Sequence, residues 1–493
     1  MKIFIKKYKD ILIFSIFFLI SIIVFRNFLV GHFATDSYRL MGIGYIKYIQ
    51  EDFLTGGRIF SALLYYIAFL LNITYEKLFI ISLLGGLIIS NIIFIKLKNI
   101  CFNSKENWNC LELFILIMSS YYTIFNAMYL ENLYFAETVI MSLSVYFYLI
   151  AAKAFSEKKS KYIIKTTFFS CLGLFCYQGT ISSFFAFLIL LELLKSKKIG
   201  EIIKDMFWAS ILIIIAISIN MMQIKITCSI LEIQQGRLNF NLINNFILGL
   251  KQTLKKFMTT FKDGYYLSIM TILILFTTIF DYKKSEKEKN KHFLGLIMIL
   301  IVCIGAAIIP TLSTTSAIYS ARIRFSIGAC IGLAYLYLVT KTDIFNKNKI
   351  ISIFLTIILI IYALINTFTY IVNINISKKI NMIDIEETKK VVEYVEQYEK
   401  ENNNRVTHIV LYSDYKNAYK GFYPNMITEY SSMNWSALRT IWSSKEIIEF
   451  YGNRKLEKKE AKEEEILNYL QNVDKYRNYL IIKDTLYITC YIH

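Results

Sequence analysis

Residues 59–72 read IFSALLYYIAFLLN. How this short apolar run is read decides how the whole chain is threaded. A helix needs roughly 20 apolar residues to cross a ~30 Å hydrocarbon core. These residues reach only about 21 Å at 1.5 Å per residue. The run is therefore expected to form a re-entrant or interfacial helix on the outer side of a membrane. If it crossed fully, every later lysine-rich loop would change sides.

The runs around it are longer. The chain has 493 residues, 56% hydrophobic and 16% aromatic, whereas soluble domains sit near 45–50% apolar. The excess is concentrated at 11–30, 78–95, 111–128, 134–152, 163–177, 179–194, 206–224, 265–281, 293–310, 323–340 and 350–373. These runs predict an α-helical polytopic membrane protein with eleven transmembrane helices. The first run follows MKIFIKKYK, a basic start like that of a signal peptide. Its apolar core is too long, and no small-residue cleavage motif follows, so an uncleaved first span is expected.

Lysines supply the orientation. They cluster in KKYK, KLKNICFNSKENWN, KAFSEKKSKY, KSKKIGEIIK, DYKKSEKEKNK and KTDIFNKNK. Cytoplasmic loops attract Lys and Arg, and a cytoplasmic N-terminus puts all of these inside. The intervening NAMYLEN, YQG and PTLSTTSAIYS lack lysine and fall outside. The net charge of +18 then reports topology. Nucleic acid is not an expected partner, because no basic stripe interleaves with aromatics on a soluble face. The eight cysteines form no CxxC pair, and no disulfide framework is expected. The histidines His32, His292, His408 and His493 form no ligand cluster. His32, four residues before Asp36, offers a two-ligand pair at most. No cofactor or metal site is assigned, which leaves a divalent ion open.

The expected domains are residues 1–373 in the membrane and residues 374–493 as a small C-terminal α/β domain outside it. The first outer segment, 31–77, carries juxtamembrane helices, and loops 225–262 and 311–322 complete the outer face. In the tail, EETKKVVEYVEQYEKEN and AKEEEILNYLQNV read as helices. THIVLYS reads as a strand and YLIIKDTLYITCYIH as one or two.

The candidate functional residues gather at the outer ends of spans. GHFATDSYRL, residues 31–40, sets Asp36 and Arg39 just after the first span. In SYRLMGIGYIKYIQEDFL, Leu40, Ile43, Ile46, Ile49 and Phe53 recur at about three-residue spacing. That spacing predicts one amphipathic helix along the membrane surface. Asp36 reads as its N-cap, worth ~1 kcal/mol, or as a functional carboxylate on a rigid mount, and the two are compatible. Gly56 and Gly57 mark a turn before Arg58. Arg58 is either a snorkelling anchor or a clamp on phosphate. Glu131 and Asn132 precede the fourth span, and Glu137 lies within its first turns. Tyr177 and Gln178 cap a hairpin, where an aromatic interface anchor is the plainer reading. Arg322 opens the tenth span and Arg324 lies one step deeper, where charge is costly and tends to be functional, the plainer reading being a terminal anchor.

Together, TDSYR, GGRIFSALLY, YLENLYFAE, CYQGTISSFFAFLILL and SARIRFSIG resemble the GtrII-type glucosyltransferases of the GT-C superfamily of polytopic membrane glycosyltransferases. The resemblance runs along the spans from end to end. Thr35 stands where that family often has a second acid, and Ile59 where it often has Pro. The resemblance implies a GT-C-like fold in the cell membrane. It also implies transfer of a sugar, glucose in the family's name, from a polyprenyl-phosphate-linked donor to a cell-surface glycan or glycolipid acceptor outside.

The residues suit that chemistry. The inner loops are too short for a nucleotide-binding domain, and no D-x-D occurs. A phosphate leaving group departs without a proton, so one carboxylate acting as base suffices, whereas a glycosidase needs two. The departing phosphate needs cations, and Arg offers two parallel hydrogen bonds. Asp36 is accordingly expected as general base of an inverting transfer. Arg58, Arg322 and Arg324 are expected on the donor phosphate, and Arg39, Glu131, Glu137, Tyr177 and Gln178 on sugar or acceptor. The competing readings are a lipid-linked oligosaccharide flippase or transporter, a polysaccharide polymerase and a non-catalytic scaffold. A transporter is expected to show repeats, broken helices and midplane charges, which are scarce here.

Overall fold

The computed structural model describes residues 2–233, 242–259, 261–280, 286–312, 320–347, 349–413, 435–473 and 478–490. Helices follow the apolar runs. In chain order they are α1 Lys2–Phe25, α2 Thr35–Ile43, α3 Tyr45–Tyr48, α4 Ile59–Leu70, α5 Tyr75–Phe102 and α6 Cys110–Ile124. Next come α7 Thr138–Glu157, α8 Tyr162–Cys176, α9 Ser182–Leu194, α10 Ile199–Ile230, α11 Leu242–Thr259 and α12 Phe261–Phe280. The last are α13 Glu286–Ile308, α14 Phe325–Lys341, α15 Ile344–Lys347, α16 Lys349–Asn402, α17 Ser444–Gly452 and α18 Glu463–Asn472.

Among the described residues, 6 helical stretches are long and apolar enough to cross a membrane: Tyr75–Phe102, Thr138–Glu157, Ile199–Ile230, Lys291–Thr311, Ala321–Lys341 and Lys349–Asn402. Shorter apolar helices lie at Ile59–Leu70, Cys110–Ile124, Tyr162–Cys176, Gln178–Leu194 and Tyr265–Thr277. The chain has the makeup of a helical membrane protein that also carries a small sheet.

Three local expectations are corrected. The single surface helix after the first span is broken at Gly44, whose φ of +81° L residues rarely adopt. It becomes α2, α3 and a π-helical turn, Ile49–Leu54. Of its apolar stripe, Leu40, Ile49 and Phe53 are buried and Ile46 is exposed. Residues 225–262 are not an open loop, because α10 runs on to Ile230 and α11 fills most of the remainder. Residues 313–319 of the expected outer loop 311–322 lie outside the described residues. Finally, the last apolar run and EETKKVVEYVEQYEKEN form one helix, the 54-residue α16, with no break near 374.

The chain divides into two units. The first comprises Met1–Val24, Gln50–Leu64 and Ile81–Tyr370. Helix α6 starts there with a capping box: the Asn109 side chain accepts from the Glu112 amide at 2.7 Å and Glu112 accepts from the Asn109 amide at 3.2 Å. Gly332 of α14 lies so close to α6 that a Cβ would strike Thr123, and Gly328 so close to the chain leaving α6 that a Cβ would strike Asn126. Such small-residue seams let membrane helices pack where lipid removes the hydrophobic drive. The chain leaving α6 is fixed by polar groups: Asn366 Oδ1 accepts from the Ala127 amide at 2.7 Å, and the Tyr370 hydroxyl donates to Asn126 O at 2.8 Å.

The second unit comprises Phe25–Ile49, Tyr65–Ile80 and Ile371–His493. Parts of the outer segment grouped above with the membrane spans thus cluster with the tail. The strands are β1 His408–Ser413, β2 Glu457–Lys458, β3 Tyr479–Ile482 and β4 Thr485–Cys490, in the order β2-β1-β4-β3. Strand β1 runs parallel to β2 and β4, and β3 pairs antiparallel with β4. The tight Ile482-to-Thr485 connection accounts for that last hairpin. The core unites Val391, Val395, Ile409, Leu438, Ile447, Leu486 and Ile488 with Tyr38 of α2. Asp384 on α16 braces the unit by accepting hydrogen bonds from Ser436 and from the Ala437 amide.

Candidate functional site

In the first unit, five of the expected site residues, Arg58, Glu131, Glu137, Gln178 and Arg322, come together around a sixth, Tyr177. The π-helical turn and the paired glycines bring the chain back so that the Arg58 amide donates to Phe53 O at 2.8 Å. This sets the Arg58 guanidinium over the Tyr177 ring, 5.0 Å from its centroid. A cation over a ring is held by the ring's negative face, a contact that consumes none of its hydrogen-bond donors. Among the described residues, no side-chain N–H of Arg58 has a hydrogen-bond partner, and its Nε is buried.

Arg322 reaches the same place from the other side of the sequence. It sits on a 3₁₀ turn, Ala321–Arg324, ahead of α14. Its guanidinium lies 4.7 Å from the Phe135 ring centroid. Its backbone amide donates to Glu131 Oε2 at 2.9 Å, and its Nε is 3.8 Å from Glu131 Oε1. Glu131 is fully buried on the 3₁₀ turn Tyr129–Leu133. Glu137 is buried at the N-cap of α7, one residue outside the helix and not within its first turns. The charges of Arg322, Arg58, Glu131 and Glu137 all act on the buried Tyr177 hydroxyl. Arg324 is buried at the N-cap of α14, two residues past Arg322.

Gln178 faces inward. Its Nε2 donates to Gly56 O at 2.7 Å and lies 3.3 Å from Asn220 Oδ1. Sequence reading missed Asn220, whose Nδ2 donates to Gly57 O at 3.1 Å. The available signal was an amide inside the long apolar run of α10, where a polar group must find a partner. Phe135 was missed as well. Nothing in its spacing distinguishes it from other aromatics of that loop.

Asp36 and Arg39 belong to the second unit, both on α2 and both half-buried. Asp36 is not the N-cap. That position is Ala34, without a side-chain cap, and Asp36 falls in the first helical turn. There its charge gains from the helix dipole, on the order of 0.3–1 kcal/mol. The neighbours Ser37 and Tyr38 anchor the turn: Ser37 bonds the Tyr75 hydroxyl, and Tyr38 packs against Phe450 and Tyr451. His32 is buried, stacked on Phe28 at 4.5 Å and tilted against Phe79 at 5.7 Å. Burial pulls its imidazole down to about 3, partly offset by a hydrogen bond with Asn381. Among the described residues, no group of three or more His, Cys, Asp or Glu could hold a metal ion.

No family model, curated protein or solved structure matches this chain.

Proposed function

We propose that the chain is a membrane glycosyltransferase. It moves a sugar from a polyprenyl-phosphate-linked donor to a cell-surface glycan or glycolipid on the outer side of the membrane. Eleven spans, a cytoplasmic N-terminus and an outer C-terminal unit complete the reading. The observation that carries it is Arg58. A buried donor left unpaired costs about 1–3 kcal/mol, and the Arg58 Nε is such a donor. A guanidinium held by a ring, with its donors unspent beside a second arginine, suits an anion that arrives from outside the protein. A carrier phosphate is such an anion.

In the proposed step, the Asp36 carboxylate takes the proton of an acceptor hydroxyl. The acceptor oxygen forms a bond to the anomeric carbon, and the bond from that carbon to the phosphate oxygen breaks. The electron pair leaves with the carrier phosphate, whose charge Arg58 and Arg322 offset. The sugar inverts. Arg324 adds positive charge near Arg322. Arg39, Glu131, Glu137 and Tyr177 serve as sugar or acceptor contacts, with Glu131 also holding Arg322.

The test compares membranes carrying wild type or Asp36→Asn, given a polyprenyl-phosphate donor with labelled glucose. Transfer is expected to collapse by about 100-fold or more, in the range of a lost general base, at equal protein level. Normal transfer by the Asn variant would sink the base assignment. Reporters fused after residues 75, 160 and 373 check the topology, with 160 expected inside and the other two outside.

A further inference from the structure

The Gly56–Gly57 turn is held by side chains from two distant parts of the first unit. Gln178 donates to Gly56 O, and Asn220 donates to Gly57 O while accepting from Gln178. Contact with α10 is tight. A Cβ on Gly57 would lie 2.8 Å from Asn220 Nδ2 and 2.8 Å from Ile224 Cγ1. Gly57 has a φ of +72°, a conformation available to glycine at little cost. On the other side, a Cβ on Gly56 would meet Asp52 O at 2.7 Å. The turn thus has no room to shift toward either neighbour, and the next residue is Arg58. Tyr177, which carries the Arg58 cation, immediately precedes Gln178. One dipeptide therefore supplies both the ring under the guanidinium and the donor that fixes the backbone next to it.

We infer that Gln178 and Asn220 are positioning residues for Arg58, a pair of amides that lock the glycine turn and so aim the guanidinium. The Nε2 hydrogens of Gln178 are spent on Gly56 O and Asn220 Oδ1, and we assign it this positioning role in place of the sugar contact expected from the sequence. Neither residue touches the substrate. Both act through Arg58, and both matter to any anion that Arg58 binds. The catalytic meaning of this lock rests on the transferase reading, whereas the lock itself does not.

Two near-isosteric variants remove the amides, Asn220→Leu and Gln178→Met. The first measurement needs no transfer activity. Detergent-purified full-length protein is treated with phenylglyoxal, and modification of Arg58 and Arg322 is followed by peptide mass spectrometry. Each variant is expected to speed Arg58 modification by about tenfold, the scale of one lost hydrogen bond, with Arg322 unchanged. An unchanged Arg58 rate overturns the inference, and so does an equal rise at both arginines, which would mean general loosening. The second measurement is a double-mutant cycle on transfer. Asn220→Leu is expected to lower kcat/KM in the wild-type background and to add nothing once Arg58→Lys is present. Additive losses overturn positioning through Arg58. Failure of every variant and of wild type to transfer, with the labelling pattern intact, would instead refute the transferase reading and leave the lock standing.

Discussion

Arg58 in the first unit and Arg454 in the second show two ways of holding the same cation. Arg454 forks onto Glu399, with Nη1 to Oε1 at 2.9 Å and Nη2 to Oε2 at 3.2 Å. Glu399 also accepts from the Val406 amide at 2.7 Å. Burial pushes that carboxyl up, but the Arg454 and Val406 hydrogen bonds outweigh it and hold it below the usual range. Arg58 has a ring beneath it and, among the described residues, no carboxylate bonded to it. The Arg454 ends are spent on joining α16 to the segment after α17. The Arg58 ends are not spent. A paired guanidinium ties structure together, and a stacked one can hold its position and still offer donors.

That contrast can be broken by mutation, and the largest effect is expected at Arg58. Arg58→Ala should lower transfer by about 100-fold, as loss of a charge-stabilising donor does, while thermal stability in detergent stays put. Loss of stability with transfer intact would erase the contrast. Arg454→Ala should do the reverse, costing about 2 kcal/mol for bonds to a charged group. Resistance of the second unit to limited proteolysis would report it. Gly57→Ala should cost on the order of 1–3 kcal/mol, because the left-handed φ must be paid by a residue with a Cβ. A melting curve gives the size, and an unaffected Arg58 labelling rate would show that the turn has slack.

Acid should also separate the units. The Glu399 carboxyl is depressed on folding, so its stabilisation is present above its unfolded value near 4.5 and is lost as pH falls through the lower folded value. Proteolysis of the second unit should therefore quicken below about pH 4.5, and Glu399→Gln should flatten that dependence. The smallest effect concerns Asn453, which ends α17 in the left-handed region with φ +44°. Asn453→Gly should change stability by a few tenths of a kcal/mol, and a shift in melting temperature would measure it.

Much of this was legible in the chain because lipid makes polar residues conspicuous. Arg58, Glu131, Glu137, Tyr177, Gln178 and Arg322 were chosen for standing at the ends of apolar runs, and they share one neighbourhood in the first unit. The strands at 408–413 and 485–490 were readable as short runs bearing Ile, Val, Tyr and Thr. Gly44 was not, since an apolar stripe at helical spacing continues across it and only the backbone dihedral reveals the break. Asn220 carries no charge and sits in mid-helix, so its partner on a glycine carbonyl more than 160 residues away left no local trace. The attachment of Tyr38 to the tail's core likewise depends on contacts that no periodicity encodes.

The glycine seam between α6 and α14 has a consequence in time. Ser119, Ser120, Thr123 and Asn126 are buried, and Gly328 and Gly332 cover part of that polar face. Those glycines are made roughly 200 residues later, and at about 5–20 residues per second that is on the order of 10–40 s of synthesis. On the proposed topology, α6 enters the bilayer before the helix that will cover it exists. On that topology the polar face waits uncovered, so slowing translation between the two helices should lengthen the stage at which insertion can fail.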